Sequence, residues 1–212
     1  GGDFFDLFAY WDDHIAFVVG DATGKGLEAA ATTSEVKYAL RAYLHDDTDP
    51  GVALTRLNRF LAASRKEDTG TDFVPPSFVS LTLAVLNRQT GELRTASAGA
   101  EAPLLLRVDG TAIEAGETGT MLGASADSVY TAQRFTMESG DTIAMVTDGV
   151  TEARRGQREF FGYEGFTNGV RSASEADAAT LSTIAQSVVA AAKSFAGGRL
   201  HDDVCLLIAR RE

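Results

Sequence analysis

The stretch that decides the fold is Ile15-Ala16-Phe17-Val18-Val19-Gly20-Asp21-Ala22-Thr23-Gly24-Lys25-Gly26, an apolar strand that ends in a glycine-rich turn. A strand that is apolar on both faces belongs inside a covered sheet. Leu7–Trp11 predicts a preceding strand, joined to it by the tight polar turn Asp12-Asp13-His14. Helical spacing of apolar residues predicts a helix from the turn to about Leu44, and Asp49-Pro50 marks the start of a second helix.

The rest of the chain is predicted to be mainly β-structure, followed by a helix-rich stretch. Lys66–Pro76 is polar and rich in turn residues, which predicts a loop, and Leu181–Ala192 has helical spacing that ends at Gly197-Gly198. Neither a repeat nor a linker interrupts residues 1–212, so we expect one domain with mostly antiparallel strands. The predicted strands are Phe78–Leu86, Glu92–Ser97, Leu104–Val108, Thr111–Glu114, Val129–Phe135, Thr142–Val146 and Val204–Ala209.

Composition narrows the class of protein. The 212 residues are 44% hydrophobic and 23% charged, which is typical of a soluble globular domain with a sizeable core. The net charge of −11 disfavours nucleic acid as a partner. No apolar run reaches the roughly 18–20 residues that span a bilayer, so we expect no membrane contact. The single cysteine, Cys205, excludes an internal disulfide and suits a reducing cytoplasm.

Aspartates stand at four places where strands meet turns, and glycine adjoins three of them. Strand ends that are far apart in sequence can converge in a sandwich, and a cation would neutralise the resulting cluster of carboxylates. Oxygen ligands without a histidine cluster select Mg²⁺, Mn²⁺ or Ca²⁺ rather than zinc. Each Asp-Gly or Gly-Asp pair by itself is also an ordinary turn former. The four places are Asp3 with Asp6, Asp21, Asp148, and the pair Asp202-Asp203.

The order and spacing of these motifs resemble the SpoIIE-like branch of the PPM, or protein phosphatase 2C-type, metal-dependent serine/threonine phosphatases. The resemblance covers essentially the whole chain. It implies an α+β fold, a four-layer αββα sandwich of two antiparallel sheets flanked by helices. The motifs that carry it are Gly1-Gly2-Asp3-Phe4-Phe5-Asp6, Gly20–Gly26 with Ala29-Ala30, Phe78–Leu81, Thr90–Leu93, Ala98-Gly99, Leu122-Gly123, Gly140-Asp141, Thr147–Ala153 and Asp202-Asp203.

The resemblance implies a site for two Mn²⁺ or Mg²⁺ ions. By match to the family's motifs, Asp21 would bridge the ions, while Asp3 and the backbone carbonyl of Ala22 would help to hold one of them. Asp148 and Asp202 would hold the other. Asp21 and Asp148 are therefore expected to be catalytic through a metal-activated water that attacks the phosphate, with no protein nucleophile.

Four other residues near the motifs have open roles. Asp203 is an alternative to Asp202, because adjacent aspartates leave the match uncertain by one residue, and Asp6 is a weaker ligand candidate. His201 could protonate the leaving oxygen, although most lone histidines are structural or exposed. Lys25 could meet phosphate or be an ordinary surface lysine.

Two departures from the family pattern leave an alternative function open. Ala100-Glu101 follows Ala-Gly where the branch has histidine, and Cys205 replaces a threonine. The alternative is a catalytically weak or inactive PPM-fold domain that acts as a regulated protein-binding module. Gly1-Gly2-Asp3-Phe4-Phe5 also superficially resembles the diguanylate cyclase signature, but the later motifs do not match that family.

The resemblance also implies partners. Substrates of this branch are phosphoserine or phosphothreonine proteins, often anti-sigma-factor antagonists, which would place the chain in bacterial signalling. A sensory module commonly precedes such domains, and the chain begins at Gly1 without methionine, so we expect an upstream strand and module to be missing. The helices over 26–44 and 49–65 are either a regulatory pair or ordinary core elements, and a homodimer is left open.

Overall fold

The computed structural model describes residues 2–68, 78–176 and 179–212. The strands are β1 (Asp3–Tyr10), β2 (His14–Ala22), β3 (Val79–Asn87), β4 (Glu92–Ala98), β5 (Leu104–Leu106), β6 (Ala112–Glu114), β7 (Thr118–Gly119), β8 (Gln133–Thr136), β9 (Thr142–Val146), β10 (Arg154–Arg155), β11 (Glu159–Phe160) and β12 (Leu206–Arg210). The helices are α1 (Leu27–Asp46), α2 (Pro50–Asp68), α3 (Asp148–Thr151), α4 (Gly162–Ser174) and α5 (Leu181–Phe195).

Two larger sheets organise these strands. The first sheet has the order β1-β2-β3-β4, and both β7 and β8 pair with β4. The second has the order β12-β9-β5-β6, while β10 and β11 form a separate hairpin. Pairing within both larger sheets is antiparallel except between β4 and the two-residue strand β7. This parallel pair is a local exception to the antiparallel sheets that the sequence predicts.

The inner faces of the two sheets pack against each other. Val19 and Leu86 of the first sheet share a buried cluster with Ile143 and Met145 of the second. Val18, the neighbour of Val19, belongs to a different cluster on the outer face of its sheet. Alternation along β2 thus sends successive apolar side chains to two separate cores, which explains why this strand is apolar on both faces.

Helices cover both outer faces. Leu40 of α1 and Leu57 of α2 are fully buried against the first sheet. Phe166 of α4 and Val188 of α5 are fully buried against the second sheet. The layer order is therefore helices, sheet, sheet, helices, which confirms the αββα sandwich.

The observed ends of the helices and strands agree only in part with those predicted from the sequence. The Asp49 carboxylate accepts hydrogen bonds from the N–H groups of Gly51 and Val52, so the predicted start of α2 is confirmed. Helix α2 continues to Asp68, so the loop predicted over Lys66–Pro76 is wrong for 66–68, and 69–76 lie outside the described residues. Strand β1 begins four residues earlier than predicted, at Asp3, which places a candidate ligand in the sheet.

The helices give no indication of a membrane segment. Over the ranges that the structure describes, none combines the length and the apolar character required to cross a bilayer.

Candidate metal centre

Two of the proposed ligands face each other on adjacent strands. The antiparallel register of β1 and β2 sets Asp3 directly opposite Asp21. Gly2 packs closely against Asp21 and Ala22. A Cβ atom on Gly2 would be 1.8 Å from the Ala22 carbonyl oxygen and 2.5 Å from Asp21 Oδ1. The absence of a side chain at Gly2 therefore lets the chain pass beside both oxygen atoms. The Asp21 carboxylate and the Ala22 carbonyl therefore both lie beside Gly2.

The remaining ligand candidates come from the second sheet. Asp148 opens the short helix α3, with Thr147 between it and the end of β9. Asp202 and Asp203 precede β12, the strand paired with β9. A Cβ atom on Gly149 would be 1.8 Å from the backbone oxygen of Asp203. Glycine thus permits the close approach of two loops that both carry aspartate. All three aspartates are exposed, so their carboxylates are accessible from solvent.

The pKa values show that these carboxylates act on one another. Burial, followed by the negative charges of Asp3, Asp148 and Asp202, raises the pKa of Asp21 to about 6. Burial also raises the pKa of Asp3, where a hydrogen bond from Thr147 opposes the increase. For Asp148 the pKa is raised by burial and then by Asp202. Aspartates from both sheets therefore form one electrostatically coupled group at one end of the sandwich.

The chemistry of this group fits a hard divalent cation. Carboxylate oxygens and a backbone carbonyl are the donors that Mg²⁺ and Mn²⁺ prefer. Within the described residues, no three carboxylate, imidazole or thiol groups already surround a single point as a closed set of ligands. A bound cation would have to draw the carboxylate oxygens together.

Asp6, the weaker ligand candidate, does not belong to this group. Its two carboxylate oxygens accept hydrogen bonds of 2.7 and 2.9 Å from the guanidinium of Arg41 on α1. Asp6 is three positions after Asp3 in β1, so strand alternation directs the two side chains to opposite faces of the sheet. The expectation that Asp6 helps to hold a metal is therefore wrong.

Two other candidates remain predictions of the sequence, and Cys205 is a departure from the family pattern near them. His201 is exposed beside Asp202, and Lys25 is exposed in the glycine-rich turn. Cys205 is half-buried before β12 and packs against the cluster between the sheets. Burial raises the pKa of its thiol to about 11, which agrees with a packing role rather than a nucleophilic one.

A cleft adjoins the carboxylate group between the ends of the two sheets. Its volume is about 270 Å³, and its lining includes Gly20, Ser80, Ala100, Glu101, Thr118, Thr147, Asp148 and Glu152. Thr147 and Glu152 belong to the motif Thr147–Ala153, but the sequence predicts no individual role for either. Ala100 and Glu101 are departures from the family pattern. Their place in the lining shows that these departures change the wall of the cleft.

Comparison with known proteins identifies the family. A family model described as Stage II sporulation protein E (SpoIIE) matches residues 11–212. This chain belongs to the SpoIIE family. The match begins in the turn after β1 and continues through β12, so it includes the segments that carry Asp21, Asp148 and Asp202.

Individual relatives agree with this assignment. Phosphoserine phosphatase RsbU of Bacillus subtilis is 30% identical over 154 residues, which are 72% of this chain and 43% of RsbU. The structure of the RsbU and RsbW domains of Rv1364c from Mycobacterium tuberculosis is 27% identical, with a TM-score of 0.79 over 100% of this chain and 56% of that one. RsbX, solved in complex with magnesium, is 18% identical, with a TM-score of 0.67 over 98% of this chain and 85% of its own, and shows the same fold. The match covers 43% of RsbU and 28% of protein IcfG of Synechocystis sp., which is 29% identical over 184 residues, so this chain spans less than half the length of these curated relatives.

Proposed function

We propose that this SpoIIE-family chain is a metal-dependent protein phosphatase domain that hydrolyses phosphoserine or phosphothreonine. The observation that carries the proposal is the convergence of Asp3, Asp21, Asp148 and Asp202, from four strand ends in two sheets, beside an open cleft. Mutual repulsion among these carboxylates makes the group a poor structural element by itself and a good cation site.

Each residue has a distinct role in this proposal. Asp21 lies opposite Asp3, and the charge of Asp148 helps to raise its pKa, so we assign to Asp21 the role of contacting both ions. Asp3 and the Ala22 carbonyl would hold one ion, and Asp148 with Asp202 or Asp203 would hold the other. When bound, two Mn²⁺ or Mg²⁺ ions supply an activated water and neutralise the charge on the phosphate oxygens.

The cleft explains why the substrate phosphate would depend on those cations. None of the described residues that line the cleft is basic, and three of them are Glu101, Asp148 and Glu152. A phosphate group would be repelled by this lining, so the carboxylates cannot hold it without a positive charge between them. Ser80 and Thr118 provide hydroxyl groups at the same opening that can hydrogen-bond a phosphate ester or its peptide.

The proposal also covers the protein substrate and the signalling protein to which the domain belongs. RsbU carries the name phosphoserine phosphatase, and we infer a phosphorylated anti-sigma-factor antagonist as the substrate here. We place residues 1–212 as the catalytic domain of a cytoplasmic signalling protein with an upstream sensory module. Release of phosphate from such a phosphorylated antagonist, but not from an unrelated phosphoserine protein, would support this assignment.

The first test is hydrolysis of p-nitrophenyl phosphate with and without Mn²⁺. The wild-type chain should show turnover that requires Mn²⁺, and Asp21→Asn should abolish it while the far-ultraviolet circular dichroism stays unchanged. Asp127→Asn, which removes an exposed aspartate from a loop that does not line the cleft, is the matched control and should keep full activity. Activity that persists without added metal, or in Asp21→Asn, would contradict the two-metal site. A folded wild type without any turnover would favour the binding-module alternative.

A further inference from the structure

The hydroxyl of Thr147 connects the two sheets at the metal centre. Thr147 lies between β9 and Asp148 and is 5% exposed. Its Oγ1 donates a 2.7 Å hydrogen bond to Oδ2 of Asp3, at the start of β1 in the first sheet. The same oxygen accepts a 2.9 Å hydrogen bond from the backbone N–H of Cys205, just before β12. One buried oxygen therefore joins three segments. They are the start of β1 with Asp3, the end of β9 next to Asp148, and the segment that follows Asp202 and Asp203.

The direction of these hydrogen bonds is determined by the groups involved. The Cys205 N–H can only donate, so Thr147 Oγ1 must be its acceptor. The single hydroxyl proton then points to Asp3 Oδ2 at 2.7 Å rather than to the Cys205 carbonyl oxygen at 3.5 Å. Asp3 therefore accepts this hydrogen bond at one defined oxygen, Oδ2, which holds its carboxylate on the side of Thr147 and Asp148.

We propose that Thr147 is a positioning residue, whose hydroxyl orients the Asp3 carboxylate for a divalent cation and fixes its distance from Asp148. The inference rests on the proposed function, because it assigns Asp3 to a cation. Residues that hydrogen-bond to a metal ligand without touching the metal orient that ligand, and their loss typically lowers metal affinity by about 10–100-fold. Thr147 would act on Asp3 in this way.

The chain offers a matched pair of substitutions. Thr147→Val removes the hydroxyl with little change in volume. Thr95 of β4 is also buried, and its hydroxyl donates to the backbone oxygen of Ala115, directly after β6 and outside the carboxylate group. Thr95→Val therefore makes the same chemical change and removes one buried hydrogen bond without affecting Asp3. Thr147→Ser retains the hydroxyl and tests its role directly.

The experiment is calorimetric titration of each folded variant with Mn²⁺ alone. We expect Thr147→Val to weaken Mn²⁺ binding by about 10–100-fold, Thr147→Ser to stay close to wild type, and Thr95→Val to bind as wild type despite a lower melting temperature. In an Asp3→Asn background, Thr147→Val should cause no further loss, because the two residues would act as one unit. Thr147→Ala replaces the valine variant if that variant does not fold.

The outcomes separate this inference from the proposed function. Wild-type affinity in a folded Thr147→Val or Thr147→Ala variant would overturn the role of Thr147 and leave the metal centre standing. Equal weakening in Thr95→Val would show a general effect of lost stability and would also overturn it. A wild-type chain that does not bind Mn²⁺ would overturn the metal centre itself, and the positioning role with it.

Discussion

Strand β9 is flanked by two aspartates, each next to a glycine, and their surroundings are opposite. Asp141, before the strand, is 2% exposed and accepts a 2.6 Å hydrogen bond from Arg107 as well as bonds from the N–H groups of Val108 and Glu138. Asp148, after the strand, is exposed, and both burial of part of its carboxylate and the charge of Asp202 raise its pKa.

The difference shows how the same residue type serves structure or chemistry. A buried carboxylate with a guanidinium and two backbone donors has all its charge compensated within the chain. A carboxylate among other carboxylates needs a cation from solution. The two ends of β9 therefore predict opposite effects for the same substitution, one on stability and the other on activity.

The largest difference should appear in catalysis. Asp148→Asn should lower Mn²⁺-dependent turnover of p-nitrophenyl phosphate by more than the roughly 100-fold that outer partners of metal ligands contribute. Asp141→Asn should keep the wild-type rate per folded molecule, because Asp141 lies at the opposite end of the strand. Substantial turnover in the Asp148→Asn variant would contradict the role of Asp148 as a metal ligand that catalysis requires.

A smaller effect should appear in the free energy of unfolding, and here the Asp141 variant should be affected more than the Asp148 variant. Asp141→Ala removes the carboxylate that pairs with Arg107 and accepts from two backbone N–H groups, which should cost about 3 kcal/mol of unfolding free energy. Asp148→Ala should leave the metal-free protein as stable or slightly more stable, because it relieves repulsion. Urea denaturation without metal measures both values, with Asp127→Ala as a control for the loss of an exposed charge. Similar losses at Asp141 and Asp148 would show that both carboxylates are structural.

The smallest expected effect is a dependence of metal stabilisation on pH. The pKa of Asp21 is raised to about 6 in the folded state, so its protonated form is favoured there. Without metal, the contribution of Asp21 to stability decreases as pH rises from its ordinary pKa of 3.8 to about 6. A cation binds the ionised form, so the rise in melting temperature on adding Mn²⁺ should be larger at about pH 7 than at about pH 5. Asp21→Asn should weaken this dependence, and an equal Mn²⁺ effect at both pH values would contradict it.

The sequence predicted most elements of the fold because the patterns that specify them are local. The hairpin of β1 and β2, the cap of α2 at Asp49 and the strands on either side of Asp109-Gly110 all follow from alternation, capping or turn chemistry. The short strands β7, β10 and β11 were missed, since two residues give no periodicity. The end of α2 was misjudged because polar residues continue a helix as readily as they form a loop.

The candidate site divides in the same way. The motifs placed aspartates at the ends of strands and named Asp3 as a ligand, but they left Asp6 as a weaker candidate in the same motif. Only the tertiary structure separated them, because Arg41 on α1 lies 35 residues away in the chain and meets Asp6 on the outer face.

By itself, the sequence indicated one domain of mostly antiparallel strands with aspartates at the strand ends, because these properties depend on residue type and short-range spacing. The αββα architecture and the proposed metal ligands were implied by the resemblance of its motifs to the SpoIIE-like branch, and the packing of the two sheets confirmed the architecture. The tertiary structure decided which aspartates act together, which one is paired with arginine, and that Thr147 links Asp3 to the second sheet. These relations depend on distances between segments that are up to 144 residues apart, and only the packing of the two sheets sets those distances.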